Sequence, residues 1–333
     1  MSARRTIGLF LVSAVLFGGT FVAAKFGLAH LPPLIFVALR FDIGALVLVG
    51  YAAHRLSFAD LRPRSLGDVV AILSTGVLVI GLTNASIFVG QQYTTSGVAA
   101  IVMSLNPILT MVFAALALSD ERLTRRGVVG MFAGLVGVAL VANPDPSTLA
   151  GSAGLSIIFA AAVLSALGAV TIRWADPTMS STARTVWGVP IAAVVTHFLS
   201  FVAGEPSAVG PIPPAALLAL AFLGIGSGAV AYLTYFALID AAGATRANLL
   251  FYFTPVVSAL GGWFLLNETI SPLTVLGFAV IFAGFLLVGS ASIASTLASR
   301  RPRTWARWVT VRSRVRSTLH ISTNNGARAD TDR

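Results

Sequence analysis

The sequence predicts an all-α integral membrane protein with ten transmembrane helices, built as two inverted five-helix repeats. Three observations predict it: scarce charge, ten apolar runs of similar length, and a hairpin pattern that occurs twice. Of 333 residues, 56% are hydrophobic and 10% charged, where a soluble domain carries about 25% charged residues. Too little polar surface exists to cover a globule in water, so the surrounding solvent is lipid. There is no cysteine, which excludes disulfides, thiolate metal sites and cysteine nucleophiles. The formal charge of +10 does not mark a nucleic-acid surface, because nine of the 22 basic residues fall in 300–333 and most others in short loops.

The apolar runs lie near 7–27, 33–53, 68–90, 97–119, 126–143, 154–173, 182–203, 215–239, 246–266 and 272–293, each close to the roughly 20 residues a spanning helix needs. The first follows Arg4-Arg5 and is too long for the apolar part of a secretion signal, so it stays as a helix. Pro33, Pro214 and Pro272 stand where a helix begins and a missing N–H costs nothing, and Ser271 is a cap.

The repeated hairpin runs from Ser96 through Asn106-Pro107 to Glu121, then climbs through Gly130 and Gly137; its copy runs from Gly243 through Thr254-Pro255 to Glu268, then through Gly277 and Gly284. The spacings from Glu to Gly to Gly are nine and seven residues in both. At an offset of 148, Gly76 falls on Gly224, Phe88 on Phe236, Lys25 on Arg173 and Arg40 on Gly188. This divides the chain into a first repeat at 7–143, a second at 154–293 and a basic tail at 294–333. Five spans per copy put the second copy into the membrane upside down. Inverted repeats of this kind meet around a midplane site reached alternately from each side.

Orientation follows from the basic residues. With the amino terminus in the cytoplasm, Arg55, Arg62, Arg64, Arg122, Arg125, Arg126, Arg184, Arg246 and the tail all face inward. The outer connections (28–32, 91–96, 144–153, 204–214, 267–271) contain no Lys or Arg. Both termini are therefore expected in the cytoplasm, with the chain in the plasma membrane.

The expected site lies where polar groups meet broken helices. Pro107 and Pro255 are helix-breaking and leave the carbonyls of Met103 and Phe251 without a donor, which is tolerated at depth beside protein or a wet cavity. Asn106, Asn248, Tyr252 and Thr254 place polar groups beside them, and Asn84, Tyr232 and Tyr235 add more from spans three and eight. Lys25 and Arg40 lie about 10 Å inside the outer helix ends, at 1.5 Å per residue, either snorkelling to headgroups or facing the cavity to attract an anionic group. Asp42, two residues from Arg40, points to another face and serves a proton relay or an ion pair with another helix; His197 is expected as a packed, hydrogen-bonded histidine. Glu121, Arg173 and Glu268, with Lys25, are candidates for reciprocal ion-pair gates at the two ends. Ordinary interfacial solvation of these charges is the alternative.

Phe17-Gly18-Gly19-Thr20-Phe21 with Lys25, then Arg40, Asn106-Pro107, Asp120-Glu121-Arg122-Leu123-Thr124 and the Gly130/Gly137 helix resemble an EamA-type transporter of the drug/metabolite transporter (DMT) superfamily. The resemblance covers residues 7–292 and implies efflux of small metabolites, amino acids or other small organic solutes, without ATP. Consistent with this, no Walker A loop is present. A lipid-linked sugar flippase is the nearest rival, and a membrane-embedded lipid-modifying enzyme a further one, although no cluster of carboxylates or histidines stands at one interface. No catalytic residue, metal ligand set or cofactor is expected. The expected partners are the small-molecule substrate and the anionic inner leaflet, with a homodimer left open. Trp305, Trp308, Val311, Val315 and Leu319, at helical spacing among arginines, make the tail either a surface helix or a disordered basic segment.

Overall fold

The computed structural model describes residues 3–118, 125–142, 152–206, 211–242 and 250–299. Every element among them is a helix. In chain order these are α1 (Ala3–Gly27), α2 (Pro33–Arg55), the short α3 (Phe58–Leu61), α4 (Leu66–Gly90), α5 (Ser96–Ala117), α6 (Arg125–Ala142), α7 (Ser152–Trp174), α8 (Ser181–Val202), α9 (Pro214–Ala221 and on through Ala231–Ala242), α10 (Leu250–Leu266) and α11 (Pro272–Ser299). The described part of each of the ten apolar runs falls on one of them. Seven of the described helices are long and apolar enough to cross a membrane, and Phe253–Leu266 and Pro272–Gly284 are shorter apolar helices. Met1–Val288 forms one compact unit and Gly289–Arg333 a second. The tail from 300 onward, expected as either a surface helix or a disordered basic segment, lies outside the described residues.

The ends of the helices obey local chemistry. Pro33 and Pro214 open α2 and α9, and the Ser271 hydroxyl accepts from the Thr274 N–H at 3.0 Å to cap α11. α5 breaks at Ser104-Leu105, with Pro107 near the start of its second segment, Asn106–Ala117. Pro107 therefore starts a new segment instead of interrupting one, and its missing N–H falls where no helical partner was due. Pro255 stays inside a continuous α10. Pro190 likewise interrupts the bonding of α8, a feature the sequence comparison of the halves did not single out.

α4 and α9 each carry a nine-residue π-helical segment, Ser74–Leu82 and Phe222–Val230. They sit 148 residues apart, the offset already read from Gly76 and Gly224. The widened i→i+5 bonds correspond too: Thr83 N–H reaches the Leu78 carbonyl, and Ala231 N–H the Gly226 carbonyl. π segments are rare and gather at functional sites. Packing repeats with the same offset. A methyl added at Gly76 would stand 2.7 Å from Ile191 Cβ and 2.9 Å from the Gly188 oxygen; one at Gly224 would stand 2.6 Å from Ile43 Cβ and 3.1 Å from the Arg40 oxygen. Residues 188 and 191 correspond to 40 and 43. Between α6 and α11 the relation is reciprocal: Gly137 faces the Gly277 carbonyl, and Gly284 faces the Gly130 carbonyl. Glycine at such crossings lets backbones approach closely, the usual source of helix association in lipid.

Three carboxylates tie the two halves of the sequence together, each as an acceptor for backbone N–H groups. Asp68, fully buried at the start of α4, accepts from the N–H groups of Arg64 and Ser65 and from those of Thr178 and Met179 in the α7–α8 connection, at 2.8–3.1 Å. Glu205 accepts from Leu34 and Ile35 N–H at 3.0 and 2.7 Å, at the start of α2. Glu268 accepts from Ser96 N–H at 2.9 Å, at the start of α5. A helix N-terminus is the natural partner of a carboxylate, because its first N–H groups have no intrahelical acceptor. Glu205 follows Gly204 and Glu268 follows Asn267, and both preceding residues are left-handed, at φ +69° and +55°. That conformation ends the helix and turns the next side chain across to its neighbour.

Candidate functional site

The site grows from helix breaks and π segments, where side chains leave the regular ladder. A cavity of about 270 Å³ is lined by both halves of the sequence. α1 supplies Phe17, Thr20 and Phe21; α2 supplies Arg40; α4 supplies Val79, Thr83, Asn84 and Ile87 in and just after its π segment. The break in α5 contributes Met103, Ser104, Asn106 and Pro107, while α7 adds Ser165, α9 Tyr232 and Tyr235, and α10 Thr254. Of the residues expected at the site, Arg40, Asn84, Asn106, Tyr232, Tyr235 and Pro107 come together on this one cavity.

Arg40 dominates its electrostatics. The residue is 3% exposed, and its Nε and Nη1 have no hydrogen-bond partner. Burying an ion costs several kcal/mol even after relaxation. Its guanidinium carbon lies 4.9 Å from the Phe41 ring centre and 5.5 Å from that of Phe88, but cation–π contact returns only about 0.5–2 kcal/mol. A deficit remains that an anion in the cavity would cancel. The cavity is otherwise mostly apolar and aromatic. Phe17 meets Tyr232 and Tyr235 edge-on, with ring centres 5.4 and 6.1 Å apart. Asn84 donates to the Ile80 carbonyl at 2.7 Å, and Asn106 weakly to the Ala162 carbonyl at 3.4 Å.

The other expected residues lie elsewhere. Lys25 is absent from the lining; its ammonium donates to the Gln91 carbonyl at 2.6 Å, and Gln91 in turn donates to the Phe21 carbonyl at 2.9 Å. The Glu268 carboxylate is engaged by Ser96, whose hydroxyl donates to it at 2.6 Å, while Ser258 Oγ donates to the Ser96 carbonyl at 2.9 Å. Lys25 and Glu268 therefore each bond a neutral partner, and the Glu268 charge also acts on the Lys25 ammonium, which makes one polar cluster joining the ends of α1, α4 and α10 to the start of α5. Arg173 is exposed near the end of α7. Glu121 and Asn248 lie outside the described residues, as does the side chain of Tyr252. Asp42 pairs with His197, Nε2 to Oδ2 at 2.8 Å, both side chains about two-fifths exposed. The two intramembrane groups that sequence left with open roles therefore serve each other across α2 and α8.

Sequence reasoning missed Thr20, Thr83, Ser104 and Ser165. Thr20 stood inside the Phe17–Phe21 motif and Ser104 beside Asn106-Pro107, so proximity to a motif was the available signal. Ser165 and Thr83 carry none, since a hydroxyl in a span is commonly bonded to its own helix.

The Glu268 contact yields a test. Glu268→Ala is expected to lower the melting temperature by the equivalent of about 1–2 kcal/mol, the scale of a lost helix-terminal acceptor. Glu268→Gln should cost less than half as much, because the amide oxygen still accepts. Equal losses in thermal melts would show that the charge itself holds Ser96.

The EamA-like transporter family model matches the chain twice, over residues 4–143 and 152–290. An uncharacterized transporter of Archaeoglobus fulgidus is 27% identical over 284 residues, covering 83% of this chain and 96% of that protein. The uncharacterized transporter YyaM of Bacillus subtilis is 29% identical, covering 81% and 88%. The uncharacterized inner membrane transporter YedA of Escherichia coli is 26% identical, covering 82% and 87%. A solved crystal structure superposes with a TM-score of 0.59 at 22% identity, over 89% of this chain and 99% of that one, and so shares the fold. Two family matches spanning both halves, on an all-helical chain with apolar spans, place the protein in the EamA-like transporter family, within the drug/metabolite transporter superfamily, as a multi-pass membrane transporter.

Proposed function

We propose that the protein exports small organic solutes bearing a carboxylate or another anionic group, by alternating access around the Arg40 cavity. One observation carries this: a buried guanidinium with two unpartnered nitrogens on a cavity lined from both halves. The architecture behind it is ten spans in two inverted repeats, 7–143 and 154–293, followed by the tail. The recurrence of π segments and glycine contacts at a constant offset supports that division. Export follows from the family resemblance. The chain sits in the plasma membrane with both termini in the cytoplasm, supported by the basic residues and by the inner membrane location in the name of YedA. In this frame the Lys25–Gln91 and Glu268–Ser96 contacts close the outer end, and must break for release.

Absence of cysteine makes orientation directly testable, since one introduced cysteine is the only thiol. Cysteine at Thr269 is expected to react with an impermeant maleimide on intact cells, and cysteine at Thr124 only after permeabilisation. Reaction of both from the same side would overturn the inverted arrangement. For the substrate, purified protein is screened by thermal shift against a metabolite panel, and hits are assayed for flux in liposomes. Stabilisation and flux by cationic solutes alone would overturn the assignment of Arg40.

A further inference from the structure

We infer that the cavity selects a net monoanion with an apolar body, a monocarboxylate without an α-ammonium group, over the zwitterionic amino acid of the same skeleton. The inference rests on the proposal that Arg40 receives the substrate's anionic group, and it sharpens the substrate class.

The argument is charge balance. Among the described lining residues there is one cation, Arg40, and no carboxylate. Four carboxylates that the structure describes near the bundle are occupied elsewhere. Asp42, two residues from Arg40, is held by His197 across α8. Glu205 is spent on the start of α2 and on Ser200, Glu268 on Ser96, and Asp68 on the N–H groups around 64–65 and 178–179. None is available to a ligand's ammonium.

A monoanion beside Arg40 leaves the cavity neutral. A zwitterion leaves one net positive charge in a low-dielectric enclosure, where charge is costly. Neutral acceptors such as Asn84 Oδ1 or Ser104 Oγ can bond to an ammonium but cannot cancel its charge. The rest of the ligand meets Phe17, Phe21, Val79, Ile87 and Met103, walls that reward apolar surface. Sequence reasoning kept amino acids and other small organic solutes together; the disposition of these carboxylates separates the zwitterions from the monoanions.

The test uses the full chain in lipid nanodiscs at pH 7.5, by calorimetry, with a matched set of probes. 3-Phenylpropionate carries the carboxylate alone, L-phenylalanine both charges and 2-phenylethylamine the amine alone; 4-methylpentanoate and L-leucine repeat the first comparison with an aliphatic body. The carboxylates are expected to bind at least about tenfold more tightly than their amino acids, a modest step in binding free energy, and the amine weakest of all. Arg40→Gln should bring 3-phenylpropionate down to the level of L-phenylalanine or below. Equal or tighter binding of the amino acids, lost in Arg40→Gln, would overturn the monoanion inference and leave the Arg40 proposal standing. Binding of neither class of carboxylate, or carboxylate binding that Arg40→Gln does not change, would overturn both. The comparison within the wild-type protein decides selectivity even if the variant does not fold.

Discussion

Arg40→Gln is expected to reduce transport of an anionic substrate by about tenfold to a hundredfold while leaving the melting temperature unchanged or higher. The size comes from losing a hydrogen bond to a charged partner, about 1.5–3 kcal/mol. The opposite signs come from burial. Arg40 is 3% exposed with two nitrogens unpartnered, so without substrate its charge is a cost to the fold, and a neutral amide of similar reach removes that cost. Arg40→Lys keeps the charge but loses the planar fork and the contact with Phe41 and Phe88, and should fall between the two. Liposome flux and thermal melts on the same preparations decide it. A lower melting temperature with flux intact would make Arg40 a structural residue.

Gly224→Val should cost about 1–3 kcal/mol in stability, the usual range for overpacking, and should raise the apparent KM. Its first added atom would stand 2.6 Å from Ile43 Cβ and 3.1 Å from the Arg40 carbonyl, so α2 must shift and carry the guanidinium with it. The corresponding change, Gly76→Val, presses on Ile191 and the Gly188 carbonyl, where glycine stands in place of the arginine. It should melt at a similar temperature but act on turnover and leave KM nearly unchanged. Identical kinetic effects from the two substitutions would show that the α2–α9 crossing does not set the position of Arg40.

These two glycines also show how much was legible beforehand. Their spacing of 148 was visible in the sequence, and it located the recurrence that the structure carries into the π segments. What could not be read was the π winding itself. Ser74–Leu82 and Phe222–Val230 differ at most positions, and nothing in their apolar composition distinguishes i→i+5 from i→i+4 bonding. Part of the cavity's polar lining was legible, since Arg40, Asn84, Asn106, Tyr232 and Tyr235 are polar or charged residues inside apolar spans, where such groups are costly without a function. The charged helix ends were not. The gate reading of Lys25 and Glu268 did not foresee the neutral groups that each also bonds, Gln91 and Ser96, although the two charges do stand within reach of one another.

By itself the sequence determined that this chain lives in lipid, how many apolar runs it has, which halves correspond and which few polar residues stand at depth. Those properties follow from composition and period, which are local and additive along the chain. Tertiary structure alone decided which polar groups share a cavity and which cancel one another: Asp42 with His197, Glu205 with the start of α2, Glu268 with Ser96. The reason is rotational. Turning a helix by half a turn exchanges its cavity face for its lipid face without changing its sequence, and only packing against neighbours, here through glycine crossings a few ångströms wide, sets that angle.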